Sequence, residues 1–282
     1  MNTKSLQLNL NNKLIDLTTP IVMGIVNITP DSFFPGNRFI TPKKVIQAVE
    51  IMVENGATII DIGGFSTRPG AEIVSQEEEI SRVSGALELI LKVFPNILIS
   101  IDTFRSGVAR HVVTNYQVAM INDIGGGTLD DLMFETIADL QVAYVLMHIR
   151  GNPQNMQRNT QYDDVIAEIF KFFEKRVAQL HLLGVKDIII DPGFGFAKTL
   201  DQNYLILKKL NYFKELNLPI LAGLSRKSML YKLLNIDVEN SLNGTTAANV
   251  LALMGGASIL RVHDVKEASQ AIQIYKKYNE VN

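Results

Sequence analysis

Eight short runs of apolar, mostly β-branched residues recur along the chain: Ile21–Val26, Thr58–Ile62, Ile97–Ile101, Val118–Ile121, Val142–Met147, Asp187–Ile190, Pro219–Leu224 and Ser258–Val262. They are continuous rather than alternating, the pattern of strands buried on both faces of a parallel sheet. Segments of helical spacing separate them. In Pro42–Asn55 the apolar positions Val45, Ile46, Val49, Met52 and Val53 recur at helical intervals, and Thr41-Pro42 supplies a cap and a first-turn proline. Gly56 and Gly184 stand where such helices should stop. Eight strand–helix units in 282 residues predict an α/β fold. A closed (β/α)8 TIM barrel suits them better than an open doubly wound sheet, although periodicity alone does not show closure.

The opening of the chain follows a different pattern. Leu6, Leu8 and Leu10, then Leu14, Ile15 and Leu17, lie on either side of Asn11-Asn12, which predicts a hairpin over residues 1–20. Its expected place is the N-terminal mouth, the bottom of the barrel. No linker, low-complexity run or break in composition divides the chain, so residues 1–282 are expected to form one domain.

Composition narrows the function classes. Hydrophobic residues make up 47% of the chain, enough for a large core, and the formal charge of −2 is spread without a basic arm. A nucleic-acid partner therefore has no electrostatic support. The absence of cysteine rules out disulfides and thiolate metal sites and fits a reducing compartment. MNTKSLQLNLNNKLIDL lacks the layout of a signal peptide. Ala247–Leu260, the most apolar stretch, is too short for a membrane span and is broken by Asn249, Gly255 and Gly256. The expectation is a soluble cytoplasmic protein that acts on small molecules, with no nucleic-acid or membrane partner.

Polar residues gather at the ends of the predicted strands: Asn27, Asp61, Asp102, Asn122-Asp123, His148, Asp191, Ser225-Arg226-Lys227, Arg261 and His263. A single aspartate there reads equally well as a helix cap, and Asp61 is expected to anchor its turn in that way. Together they describe a polar pocket on an apolar floor, at the face where barrel enzymes build their sites. Asp102, Asn122, Asp191 and Lys227 combine acceptors, an amide and a strong donor, which suits a flat heterocycle such as a pterin or purine. A carboxylate facing an N–C–NH2 edge accepts two parallel bonds. Arg68, Arg261 and His263 are cations suited to a phosphate or diphosphate, although either arginine alone also reads as a surface ion pair. The long loops Thr29–Asn37 and Gly63–Gly70 carry glycine and proline and are expected to close over a reaction. Asp191-Pro-Gly-Phe-Gly-Phe-Ala-Lys lacks the Walker ending, and no two-histidine metal spacing, G-x-S-x-G elbow or G-x-G-x-x-G fingerprint occurs. His111 and His181 fall on helices and read as structural.

The segments MGIVNITPDSFF, DIGGFSTRPGA, SIDT, INDIGG, MHIRGNPQNMQ, DPGFGFAKT, GLSRKS and LRVHDV resemble, in order, the signatures of bacterial dihydropteroate synthases. The likeness runs from Ile21 to Val265. It implies condensation of a pterin pyrophosphate with 4-aminobenzoate, Mg2+ as cofactor, and a homodimer. It also implies pterin contacts at Asp102, Asn122, Met147, Asp191, Gly223 and Lys227. Diphosphate contacts fall at Asn27, Arg68, Arg261 and His263, with Asn27 also at the metal. Aminobenzoate contacts fall at Phe33, Thr67, Pro69, Phe196, Lys227 and Ser228. The catalytic set becomes Asp102, Asp191, Lys227, Arg261 and His263, with Asp102 meeting positive charge left by early C–O cleavage.

Three places depart from the family pattern: Phe34-Pro35-Gly36-Asn37 in the first loop, Phe65 where glutamate is usual, and Ala197 where glycine is common. Phe65 is expected to pack its ring beside the closed loop, away from the anion. Two alternatives stay open, a pterin-binding paralogue without turnover and a methyltetrahydrofolate:corrinoid methyltransferase. The segment Leu242–Met254 is a candidate dimer surface, with core packing as the plainer explanation.

Overall fold

The structure is a computed structural model that describes residues 6–28, 42–65 and 74–281. Strands β1 (Gln7–Leu10) and β2 (Lys13–Asp16) form an antiparallel hairpin. Its turn places Asn11 and Asn12 at φ 52 and 61, a left-handed pair that asparagine tolerates. The repeating part of the chain begins with β3 (Ile21–Asn27), α1 (Pro42–Glu54), β4 (Ala57–Gly63), α2 (Gln76–Val93) and β5 (Leu98–Asp102). It continues with α3 (Ser106–Tyr116), β6 (Met120–Asp123), α4 (Met133–Leu140), β7 (Ala143–Met147) and α5 (Val165–Leu182). The last third holds β8 (Ile188–Asp191), α6 (Leu200–Lys208), β9 (Leu221–Ala222), α7 (Ser228–Leu234), α8 (Leu242–Met254), β10 (Ile259–Val262) and α9 (Val265–Glu280).

The eight strands β3–β10 are all parallel, in the order β8-β7-β6-β5-β4-β3-β10-β9. A bridge between Ile190 and Ile220 joins the two ends, with Ile190 N–H donating to Pro219 O at 3.0 Å. The sheet is a TIM barrel, as the strand–helix count predicts. Its weakest seam is β9, two residues of the expected Pro219–Leu224 run. Proline has no N–H to add to a ladder.

Alternation along each strand sorts the core into two layers. Val22, Ile60, Ile99, Ile121, Tyr144, Ile190 and Leu260 face outward and pack with the helices. Met23, Ile59, Leu98, Met120, Val145, Ile189, Leu221 and Ile259 face inward and form the barrel floor. The apolar runs therefore look continuous in sequence because both faces are buried.

Leu8, Leu10 and Leu17 join that inward layer, so the hairpin closes the bottom of the barrel as expected. Asn9 N–H donates to Asp187 at 2.8 Å and Asn11 Nδ2 to Gln117 O at 2.7 Å, which pin the hairpin to its rim. The second strand departs from its alternation, since Leu14 is exposed. Among the described residues no helix is long and apolar enough to cross a membrane.

Candidate active site

The same two-residue period that builds the floor also builds the site. Counting upward by two from Met23, Ile59, Leu98, Met120, Val145, Ile189, Leu221 and Ile259 reaches Asn27, Asp61, Asp102, Asn122, Met147, Asp191, Gly223, Arg261 and His263. Side chains of equal parity share the inward face. The polar set thus stands directly above the apolar floor.

Arg261, half-buried on β10, ties this set together. Its Nε donates to Asp61 Oδ2 at 2.6 Å and its Nη2 to Asp102 Oδ2 at 2.7 Å. Asn122 Nδ2 donates to the same Asp61 oxygen at 3.1 Å. Asp61 is therefore no helix cap, contrary to the sequence expectation. It is fully buried and orients two neighbours that face the pocket. The signal that finds it is parity, because it lies two residues above Ile59.

One guanidinium here serves two carboxylates. Burial and the nearby Asp61 and Glu79 push Asp102 up to about 7, against the pull of Arg261 and Lys227. Arg261 is held above its ordinary range, because the two aspartates outweigh the cost of burying it. The remaining oxygens, Asp61 Oδ1 and Asp102 Oδ1, are buried and take no bond from a described residue.

Asp191 completes the carboxylates across the mouth. Its Oδ1 accepts from Gly193 N–H at 2.7 Å. A Cβ on Gly223 would stand 3.9 Å from Oδ2, so glycine there leaves the approach to that oxygen clear. Lys227 Nζ lies 4.1 Å from the centre of the Phe196 ring, a cation–π contact. Burial pushes Lys227 down to about 8, with Asp191 and Asp102 opposing. Met147 and Phe196 belong to one apolar cluster beside these groups. Ser228 opens α7 and, with Gly195, Lys198 and Lys232, lines a groove on the outer flank of the mouth.

His263 opens onto the cleft, with Ser225 as its positioning partner. Ser225 Oγ accepts from the His263 N–H at 3.2 Å and lies 3.1 Å from Nδ1. A hydroxyl that accepts from the backbone can donate its own proton to Nδ1, which keeps the ring proton on Nε2. Crowding in the barrel mouth and the Arg261 charge push this imidazole below its usual range. With its ring proton on Nε2, it can donate a hydrogen bond toward the cleft.

Three members of the strand-end set turn away from the pocket. Asp123, of outward parity, accepts from Gly125 N–H, Gly127 N–H and Tyr144 OH at 2.6, 2.7 and 2.6 Å. Arg226 pairs with Asp264 through Nε and Nη2 at 3.0 and 2.7 Å. His148 is buried against Lys198 and Phe172. Each serves loop structure.

Phe33, Thr67, Arg68 and Pro69 lie outside the described residues, as do Thr41 and the loop stretches 29–37 and 66–70. Phe65 is described. Its ring meets Phe104 edge-on, with centres 5.2 Å apart, and packs on the cluster of Met147, Met156 and Phe196. These apolar contacts predict that Phe65→Glu loses about 0.5–1.5 kcal/mol of ring pairing and leaves pyrophosphate affinity nearly unchanged. Thermal melting and calorimetry check both values, and a large affinity loss would put Phe65 at the anion.

A family model described as "Pterin binding enzyme" matches residues 23–263. Dihydropteroate synthase of Escherichia coli (strain K12) is 42% identical over 262 residues, 92% of either chain. The Haemophilus influenzae dihydropteroate synthase is 40% identical over 273 residues, 96% of this chain and 98% of its own. Among solved structures, the Yersinia pestis dihydropteroate synthase in a sulfonamide drug complex superposes with a TM-score of 0.92 at 38% identity, covering 98% of this chain and 100% of that one. The Xanthomonas albilineans dihydropteroate synthase with 4-aminobenzoic acid gives 0.91 at 37% identity, covering 99% and 100%.

Proposed function

The chain belongs to the dihydropteroate synthase family of pterin-binding enzymes, which are transferases, and from that premise we propose the reaction and the role of each residue. The substrates are 6-hydroxymethyl-7,8-dihydropterin pyrophosphate and 4-aminobenzoate; the products are 7,8-dihydropteroate and pyrophosphate. One observation carries the residue roles: Asp102 is buried, with Oδ2 held by Arg261 and Oδ1 taking no bond from a described residue. A carboxylate so arranged accepts a ring N–H. Asp191, with Oδ1 taken by Gly193, does the same for a second edge. Asn122 and Lys227 add an amide and a cation for ring oxygens and nitrogens.

The aminobenzoate nitrogen is a weak nucleophile, so the methylene C–O bond breaks early. The electron pair leaves with pyrophosphate, and positive charge develops on the pterin. Buried carboxylate charge stabilises that cation most strongly when it is fully formed. The arylamine nitrogen then bonds to the methylene carbon and releases its proton. His263 Nε2–H and the remaining guanidinium N–H groups of Arg261 donate to the departing diphosphate.

Asn27 supplies a hard amide oxygen at the end of β3. That donor fits Mg2+, which takes few protein ligands and shares substrate phosphates. When bound there it would neutralise diphosphate charge. A homodimer suits the apolar side chains exposed on and after α7 (Leu233, Leu234, Ile236 and Val238) and on α8 (Leu251 and Met254). α8 also buries Ala248, Ala252 and Leu253, so it serves the core as well.

Pyrophosphate release tests the reaction, measured on purified protein with Mg2+ and the pterin substrate, with and without 4-aminobenzoate. Release that depends on the amine is expected; pterin binding with no such release would favour a binding module. Lys227→Ala is expected to weaken capture of both substrates, each by about 10- to 100-fold for a lost charge-assisted contact. An effect on only one substrate would remove Lys227 from the place between them.

A further inference from the structure

Lys198 has no part in the proposed reaction, yet its amine is buried at the centre of the loop that carries Asp191 and Phe196. The residue is 4% exposed. Nζ donates to Gly193 O and Phe196 O, each at 2.9 Å, and lies 3.1 Å from His148 Nδ1, with His148 O at 3.4 Å. An ammonium has three N–H bonds, which the two shorter carbonyl contacts and the imidazole nitrogen use up. Burial pushes Lys198 down to about 7; in its ammonium form His148 accepts at Nδ1 and keeps its proton on Nε2.

The loop beneath needs such a clasp. Gly193, Gly195 and Ala197 adopt positive φ values of 73, 81 and 53, so the backbone follows an arch that has no regular ladder. A Cβ on Gly193 would come within 2.1 Å of His148 O, which shows how closely the two loops are seated. The arch delivers two functional elements. At its start Gly193 N–H holds Asp191. Further along, Phe196 presents its ring to Lys227, and a Cβ on Gly195 would touch Lys227 Cδ at 3.3 Å.

We infer that Lys198, clasped to His148, is a positioning residue that sets the Phe196 ring for capture of the amine substrate. This rests on the proposed reaction. The clasp holds the Gly193 and Phe196 carbonyls alike, but Asp191 belongs to β8 and keeps its place on the strand without it, whereas Phe196 lies wholly on the arch. Loss of the clasp therefore falls on the aminobenzoate side more than on the pterin side.

Lys198→Met preserves chain volume and removes the donor. Its KM for 4-aminobenzoate is expected to rise on the order of tenfold, since small displacements of positioning groups are costly. The pterin dissociation constant should stay near that of the parent. A purely structural role would lower the active fraction, and hence kcat, with KM unchanged; that result overturns the inference. Lys198→Ala with added n-propylamine gives the complementary readout. The groove lined by Lys198, Asn203 and Ser228 offers entry, and recovery of the KM is expected, whereas no recovery in folded protein counts against the clasp.

Nitrogen-15 spectra of the His148 ring test the contact without turnover. A hydrogen-bonded Nδ1 acceptor is expected in the parent and a shifted Nδ1 signal in Lys198→Met; identical spectra overturn the inference. If the parent protein releases no pyrophosphate with both substrates, the proposed reaction fails, while the His148 spectra still decide the clasp.

Discussion

Asp102→Asn is expected to slow pyrophosphate release by about 2–4 kcal/mol of transition-state stabilisation, roughly 30- to 1,000-fold, and to make the protein more stable at alkaline pH. The two effects share one cause. The carboxylate is buried, and its negative charge is useful only when positive charge develops on the substrate beside it. Without substrate, that charge is a burden on the fold. Burial holds Asp102 near 7 in the folded state, against about 4 in the unfolded chain.

Between those values the folded protein binds more protons than the unfolded one, so stability falls as pH rises through the window. Asparagine has no charge to bury and can still accept from Arg261. The advantage of the variant should therefore be small at pH 4 and complete above pH 7. Melting curves at pH 5 and pH 8, with pyrophosphate release measured on the same samples, check both halves. Full turnover at unchanged pterin affinity would end the electrostatic role. A larger stability gain at pH 5 than at pH 8 would show that the charge is not the cause.

The fold is legible in the sequence because a parallel barrel writes itself as repeated apolar runs, and Ile97–Ile101 or Val142–Met147 sit on the observed strands with small shifts at their ends. Alternation within the runs is hidden. Helices cover the outer face and the floor fills the inner one, so inward and outward positions are both apolar until the strand reaches the pocket. That is why Asn122 and Asp123 look alike in sequence, although one bonds Asp61 and the other caps its own glycine turn. Asp61 reads as a turn anchor for the same reason. Its partners Arg261 and Asn122 lie 200 and 61 residues away, and no local pattern announces a contact of that range. Lys198 looks in sequence like the wrong ending for a Walker loop, and that spacing says nothing of Gly193, Phe196 and His148, its three partners in space. Leu14 differs in kind, because an edge strand over the barrel mouth buries only one row of side chains and the alternation of the hairpin does not say which strand supplies it.

Arg261→Met should be the most damaging single change to the fold in the site, costing about 3–5 kcal/mol, the usual result of removing one partner from a buried ion pair. A diphosphate role alone would predict a different outcome, namely weak pyrophosphate binding by a protein of ordinary stability. The geometry favours the first, because Nε and Nη2 are already committed to Asp61 and Asp102. Methionine fills much of the volume but strips Asp61 of its bonded cation and leaves Asp102 only the weaker pull of Lys227. Arg261 now pulls Asp102 down, so its loss lets that group rise further. Stability should then fall more steeply between pH 5 and pH 8 than in the parent, since Asp102 ionises in the folded state without its bonded guanidinium.

The double variant Asp61→Asn with Arg261→Met separates charge from volume. It removes one anion along with the cation and should recover part of the lost stability, while pyrophosphate release stays low. Arg261→Lys should fall between, because a single ammonium lacks the planar fork that reaches both aspartates. If Arg261→Met melts like the parent at pH 8 and loses only pyrophosphate affinity, the guanidinium is an anion ligand first and a counter-ion second. If the double variant is no more stable than Arg261→Met, the cost lies in packing, and the charge balance among Asp61, Asp102 and Arg261 is not what holds this part of the barrel together.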